Sequence, residues 1–99
     1  MDKARAARLA VLAEVDKEAD RGQAEYGKAD WSPSVGLSVL VKELGEVAGE
    51  VLAMEVAPAQ TARARSRAGG DVERYRTELL HVAAVAVRLV EGLDSKQAG

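Results

Sequence analysis

Five side chains in two stretches have types and spacings that could do chemistry. Glu43, Glu46 and Glu50 interrupt the otherwise apolar run "VKELGEVAGEVL", and Glu78 and His81 stand three residues apart in "RTELLHVAAVAVRLV". Steps of three and four residues return to nearly the same azimuth on an α-helix. The three acids therefore share one strip, and Arg74, Glu78, His81, Val85 and Arg88 share another. Like charges at this spacing repel by about 0.2–0.5 kcal/mol per exposed pair, and by more when partly buried. Something must neutralise them. In one reading the partners are Lys42, Arg74 and Arg88, or water. In the other a divalent cation gathers the carboxylates, because a hard ion such as Mg2+ takes several oxygen ligands at one point. His81 is the sole histidine, and with no hydroxyl nucleophile on these strips it forms no serine-type triad. It serves either as a hydrogen-bonded core residue or as a ligand, and Glu78-x-x-His81 also matches the spacing in di-iron carboxylate bundles, where a homodimer would supply two such pairs.

These strips need helices to carry them. Leu37, Leu40, Leu44, Val47, Val51 and Met54 alternate at three and four residues, and Val41, Ala48 and Leu52 widen the apolar face. The spacing predicts a helix from Pro33, capped by Ser32, to about Val56 before Pro58, buried over most of its girth. A second inner helix is expected over "VERYRTELLHVAAVAVRLVEGL", fading after Gly92 into a polar tail at about 94–99. An amphipathic helix over about Lys3–Asp20, with Leu9, Leu12, Val15 and Ala19 on one side, should end near Gly22. The segment at about 58–71, with Pro, Gly-Gly and alternating arginines, has no periodic apolar face and is expected to be a mobile connection. The fold class is all-α: a single domain over 1–99, a bundle of three main helices.

Composition narrows the rest. Ninety-nine residues with three aromatic side chains and no Phe must build their core from Leu, Val and Ala. A chain this short, with apolar residues on more than one helical face, cannot bury them all, so completion of the bundle by a homodimer or homotetramer is expected. A formal charge of −2 provides no basic field for nucleic acid. No cysteine means no disulfide and no thiolate chemistry. Without an apolar run long enough for a bilayer or a leader peptide, no membrane partner is expected and a cytoplasmic location is.

The segments "KELGEVAGEVL" and "RTELLHVAAVAVRLVEGL", preceded by "RGQAEYGKADW", resemble the MazG-like proteins of the all-α nucleoside triphosphate pyrophosphohydrolase superfamily, especially its short phage-encoded branch, over about Val11 to Leu93. The signature of that superfamily is a Glu-x-x-Glu on one helix and a Glu-x-x-Asp on a later one, which hold Mg2+ against nucleotide phosphates. Glu43 and Glu46 match the first pair and Glu78 opens the second, but His81 stands where the superfamily has Asp. Imidazole suits Mn2+ better than Mg2+. The resemblance implies hydrolysis of a nucleoside triphosphate to a monophosphate and pyrophosphate, with Mg2+ or Mn2+ held by Glu43, Glu46, Glu78 and His81. Glu50, one turn beyond Glu46 and outside the family motif, is the candidate to orient or deprotonate the attacking water. Phosphate-facing cations would come from Lys28, Lys42, Arg74 or the Arg63, Arg65, Arg67 series, and Trp31 or Tyr26 would stack on a base. The departure at His81 leaves a second expectation: an inactive relative that binds a nucleotide or a partner through the same cleft. A purely structural helical oligomer is the third.

Overall fold

The computed structural model describes residues 2–55 and 71–98 of the chain. Among these residues the regular structure is three α-helices: α1 (Lys3–Tyr26), α2 (Pro33–Glu55) and α3 (Asp71–Ala98). The connection expected at about 58–71, with Arg63, Arg65 and Arg67, falls almost wholly outside the described residues.

Each helix start has a local cause. The Asp2 carboxylate accepts the Arg5 backbone N–H at 2.7 Å and caps α1. Ser32 caps α2 as expected: its hydroxyl accepts the Val35 N–H at 3.3 Å and its carbonyl the Gly36 N–H at 2.9 Å, with Pro33 at the first helical position.

Two glycines were expected to end helices, and neither does. α1 runs past Gly22 and stops at Tyr26, where Gly27 takes φ 82° and its N–H bonds to the Gln23 carbonyl at 2.8 Å. Gly22 is instead buried against the Arg88 guanidinium, which a Cβ at this position would push aside. α3 likewise runs past Gly92 to Ala98, so residues 94–98 are helix and not a loose tail. At Gly92 a Cβ would collide with the Ala29 carbonyl oxygen. Both are glycines of close approach, a use that sequence does not distinguish from a stop.

α3 is the central element, with α1 and α2 each packed on it and little on each other. Val15 and Ala19 of α1 bury against Ala84 of α3, flanked by Leu80 and Ala83. Burying a valine of this kind stabilises the fold by roughly 1.5–3 kcal/mol. An exposed ion pair with a 3.0 Å hydrogen bond, Arg76 to Glu14, also ties α3 to α1. On the other side Gly36 of α2 lies against Leu89, and Val47 and Ala53 are buried. The expected burial of α2 over most of its girth is not met within one chain. Leu37, Val41, Leu44 and Leu52 are each more than half exposed, as are Val90 and Leu93 of α3. On α1 the expected stripe is buried only at Val15 and Ala19, with Leu12 half exposed. No helix among the described residues is long and apolar enough to cross a membrane.

Candidate metal centre

The α2 and α3 strips face each other. One ligand atom from each of Glu43, Glu46, Glu78 and His81 lies within 4.8 Å of all the others. An octahedral shell at about 2.1 Å places adjacent ligands about 3.0 Å apart and opposite ones about 4.2 Å apart. The 4.8 Å bound of the group exceeds the opposite-ligand separation, so the four side chains would have to draw inward to share one ion. His81 Nδ1 lies 3.3 Å from a Glu78 carboxylate oxygen, close to the separation of two adjacent ligands.

The carboxylates of the cluster act on one another. Burial, and then the neighbouring Glu46 carboxyl, push the Glu78 carboxyl above its ordinary range, against the opposing pull of His81. Burial is the larger cause, and the neighbouring acid adds to it. Lys42 does not resolve it. Its ammonium stands 3.8 Å from Glu46 and 4.0 Å from Glu43, but on a side chain 72% exposed, where such pairs contribute little. Three carboxylates and one imidazole are a donor set that Mg2+ tolerates and Mn2+ suits.

A hollow of about 270 Å3 opens beside the cluster, walled by Glu43, Glu46 and His81 together with Lys42, Tyr26, Arg88 and the α1 residues Glu18 and Arg21. Lys42 and Tyr26 both line this hollow, with Tyr26 largely exposed.

The remaining site candidates lie elsewhere. Glu50 is outside the four-residue group and pairs with Arg74 at 3.5 Å, so these two engage each other beside the cluster. Lys28 lines a separate hollow of about 210 Å3 with Arg88, Glu91 and Ser95. Trp31 lines a third, about 300 Å3 and mostly apolar, with Pro33, Leu37 and Leu89. The Arg88 guanidinium links these places. It sits 5.7 Å from the Trp31 ring centroid and donates to the Gly27 carbonyl at 2.8 Å. Arg88, considered as a partner for the acids, is thus engaged with the α1–α2 connector. It is 6% exposed, and its buried Nε has no hydrogen-bond partner among the described residues.

Two residues escaped the sequence reading. Glu18 lies 3.2 Å from His81 Nε2, and Arg21 binds Glu18 from the next turn. The only signal in the sequence was a carboxylate beside the buried Ala19, one turn after Val15.

The described residues form an all-helical protein with one group of three carboxylates and an imidazole that could hold a metal ion. No family model matches the chain, and neither a curated protein nor a solved structure matches it.

Proposed function

We propose that the chain is a divalent-metal-dependent nucleoside triphosphate pyrophosphohydrolase of the MazG-like kind, converting a nucleoside triphosphate to a monophosphate and pyrophosphate. The observation that carries the reading is the convergence of Glu43, Glu46, Glu78 and His81, ligand atoms within 4.8 Å of one another, on two facing helices. The sequence resemblance supplies the reaction. These four side chains would hold Mg2+ or Mn2+, which when bound supplies positive charge against the phosphates. Lys42 and Arg21 line the same hollow and add cationic groups at its rim. Glu50, held by Arg74, is the carboxylate assigned to orient the attacking water. Trp31 and Lys28, set apart in their own hollows, would reach a nucleotide only if it extended past Arg88.

Pyrophosphate release from a panel of canonical and modified triphosphates, in Mg2+ and in Mn2+, tests this directly. Metal-dependent turnover abolished by Glu43→Gln is expected; no turnover with either metal would end the enzymatic reading. His81 in place of a carboxylate favours a second reading, an inactive relative that binds nucleotide in the same hollow, which predicts saturable binding without product.

The exposed Leu37, Val41, Leu44 and Leu52 on α2, with Val90 and Leu93 on α3, support assembly into at least a dimer. A compact monomer in sedimentation at micromolar concentration would contradict it.

A further inference from the structure

Away from the acidic cluster, the hollow of about 210 Å3 between the end of α1, the connector and the C-terminal half of α3 is lined by five polar side chains: Gln23, Lys28, Arg88, Glu91 and Ser95. The side chains of Gln23, Lys28, Glu91 and Ser95 have no hydrogen bond or ion pair among the described residues. Arg88 is only partly engaged. Its Nη2 donates to the Gly27 carbonyl at 2.8 Å and its guanidinium lies 5.7 Å from the Trp31 ring centroid, but neither partner carries a negative charge. Its Nε has no hydrogen-bond partner among the described residues, although the residue is 6% exposed and is the one charged side chain buried among them. Taking a guanidinium out of water with no anion beside it is costly, and a cation–π contact offsets only part of that cost.

A bound anion removes that cost. We propose that this hollow is a binding site for free inorganic phosphate, with the Arg88 guanidinium and the Lys28 ammonium giving charge-assisted hydrogen bonds and Gln23 and Ser95 adding neutral ones. Gly92 makes the site possible: its missing Cβ, which would collide with the Ala29 carbonyl oxygen, lets the connector bring Lys28 up against α3. Glu91, the carboxylate in the same hollow, sets which anion enters. It repels a fully ionised oxyanion but accepts a hydrogen bond from one that keeps a proton. Near neutral pH a large share of free phosphate carries such a proton, and sulfate carries none. A phosphate ester, with its second pKa at about 6, carries few. Glu91 therefore selects free phosphate over sulfate and, less sharply, over an ester. None of Glu43, Glu46 and Glu78 lines this hollow; the site needs no metal ion and goes beyond the hydrolytic reading.

The test follows backbone amide shifts of the nitrogen-15-labelled full chain, kept metal-free with a chelator, during titration with sodium phosphate, sodium sulfate and glycerol phosphate at constant ionic strength. Phosphate should give saturable shifts centred on Lys28, Ala29, Gly92 and Ser95 at millimolar concentration or below. Sulfate should bind at least about tenfold more weakly, with glycerol phosphate between the two. Arg88→Lys, which keeps the charge and loses the planar fork, should weaken phosphate about tenfold. Lys28→Ala, at an exposed side chain, should weaken it at least about threefold and keeps the test valid should Arg88→Lys fail to fold. Glu91→Gln should tighten sulfate binding. No saturable shift at millimolar phosphate, shifts centred instead on Glu43, Glu46 and His81, or unchanged affinity in Lys28→Ala would overturn the site. Sulfate bound as tightly as phosphate by the unaltered chain would overturn the part assigned to Glu91, and glycerol phosphate bound more tightly than phosphate would overturn the choice of the free ion.

Discussion

Replacing Glu46 by glutamine should have opposite effects on the metal-free and the metal-loaded protein. Two unit charges at the 4.8 Å limit that bounds the cluster repel by about 0.9 kcal/mol at the dielectric of water and about 3.5 kcal/mol at an effective value near 20. The Glu46 side chain is 45% exposed, so the lower end applies: relief from Glu43 and Glu78 together is about 1.7 kcal/mol, offset by about 1.1 kcal/mol for the lost attraction of Lys42 at 3.8 Å, a net of about 0.6 kcal/mol. Glu46→Gln should therefore make the metal-free protein about 0.6 kcal/mol more stable in urea denaturation. It should also remove one anionic ligand and weaken Mn2+ at least tenfold, about 1.4 kcal/mol. At a Mn2+ concentration one hundred times the wild-type Kd, the stabilisation by metal should fall from about 2.7 kcal/mol in the wild type to about 1.4 kcal/mol or less in the variant. The pair of denaturation curves, with and without Mn2+, measures both effects. A variant that is less stable without metal and keeps the full response to Mn2+ would refute the reasoning, because Glu46 would then be an ordinary structural residue.

Other outcomes follow from the packing and the titration of the same helices. Gly92→Ala should cost about 1–3 kcal/mol, because its Cβ meets backbone at Ala29. Gly49→Ala in α2 points into open space and should stabilise by about 0.5–1 kcal/mol through helix propensity; thermal melts of the two variants check the contrast. Glu78 binds its proton more tightly in the folded chain than its ordinary value of 4.5 allows. Between that value and the raised one the folded state carries more protons than the unfolded state, so the Glu78 contribution to metal-free stability must fall as pH rises through that window. Glu78→Gln should remove this decline, and a variant whose stability profile parallels the wild type from pH 4 to 7 would contradict it.

The helices were legible because their apolar residues recur at three and four, and the same periodicity places Glu43 with Glu46 and Glu78 with His81 on definite faces; singling these four out from Glu50 came from the family resemblance. Boundaries were less so. Gly22 and Gly92 look like stops, yet each marks a point where another element comes close. Glu18 was hidden because its approach to His81 depends on how α1 lies along α3, a tertiary relation that no local pattern encodes. The pairing of Arg88 was hidden likewise, since its partners, Gly27 and Trp31, sit in a connector whose path follows from helix ends that glycine spacing misplaced. Glu50 shares a strip with Glu43 and Glu46 but pairs with Arg74; azimuth alone does not say which acids meet a shared point and which meet an arginine.

The most direct test of the central claim is a crystal of the full chain soaked with Mn2+ and a non-hydrolysable triphosphate, with anomalous scattering recorded for the metal. The account predicts a peak between α2 and α3, within about 2.3 Å of Glu43, Glu46 and Glu78 oxygens and His81 Nδ1. Empty density there at saturating Mn2+, with the four side chains turned toward solvent or toward protein cations, would contradict it.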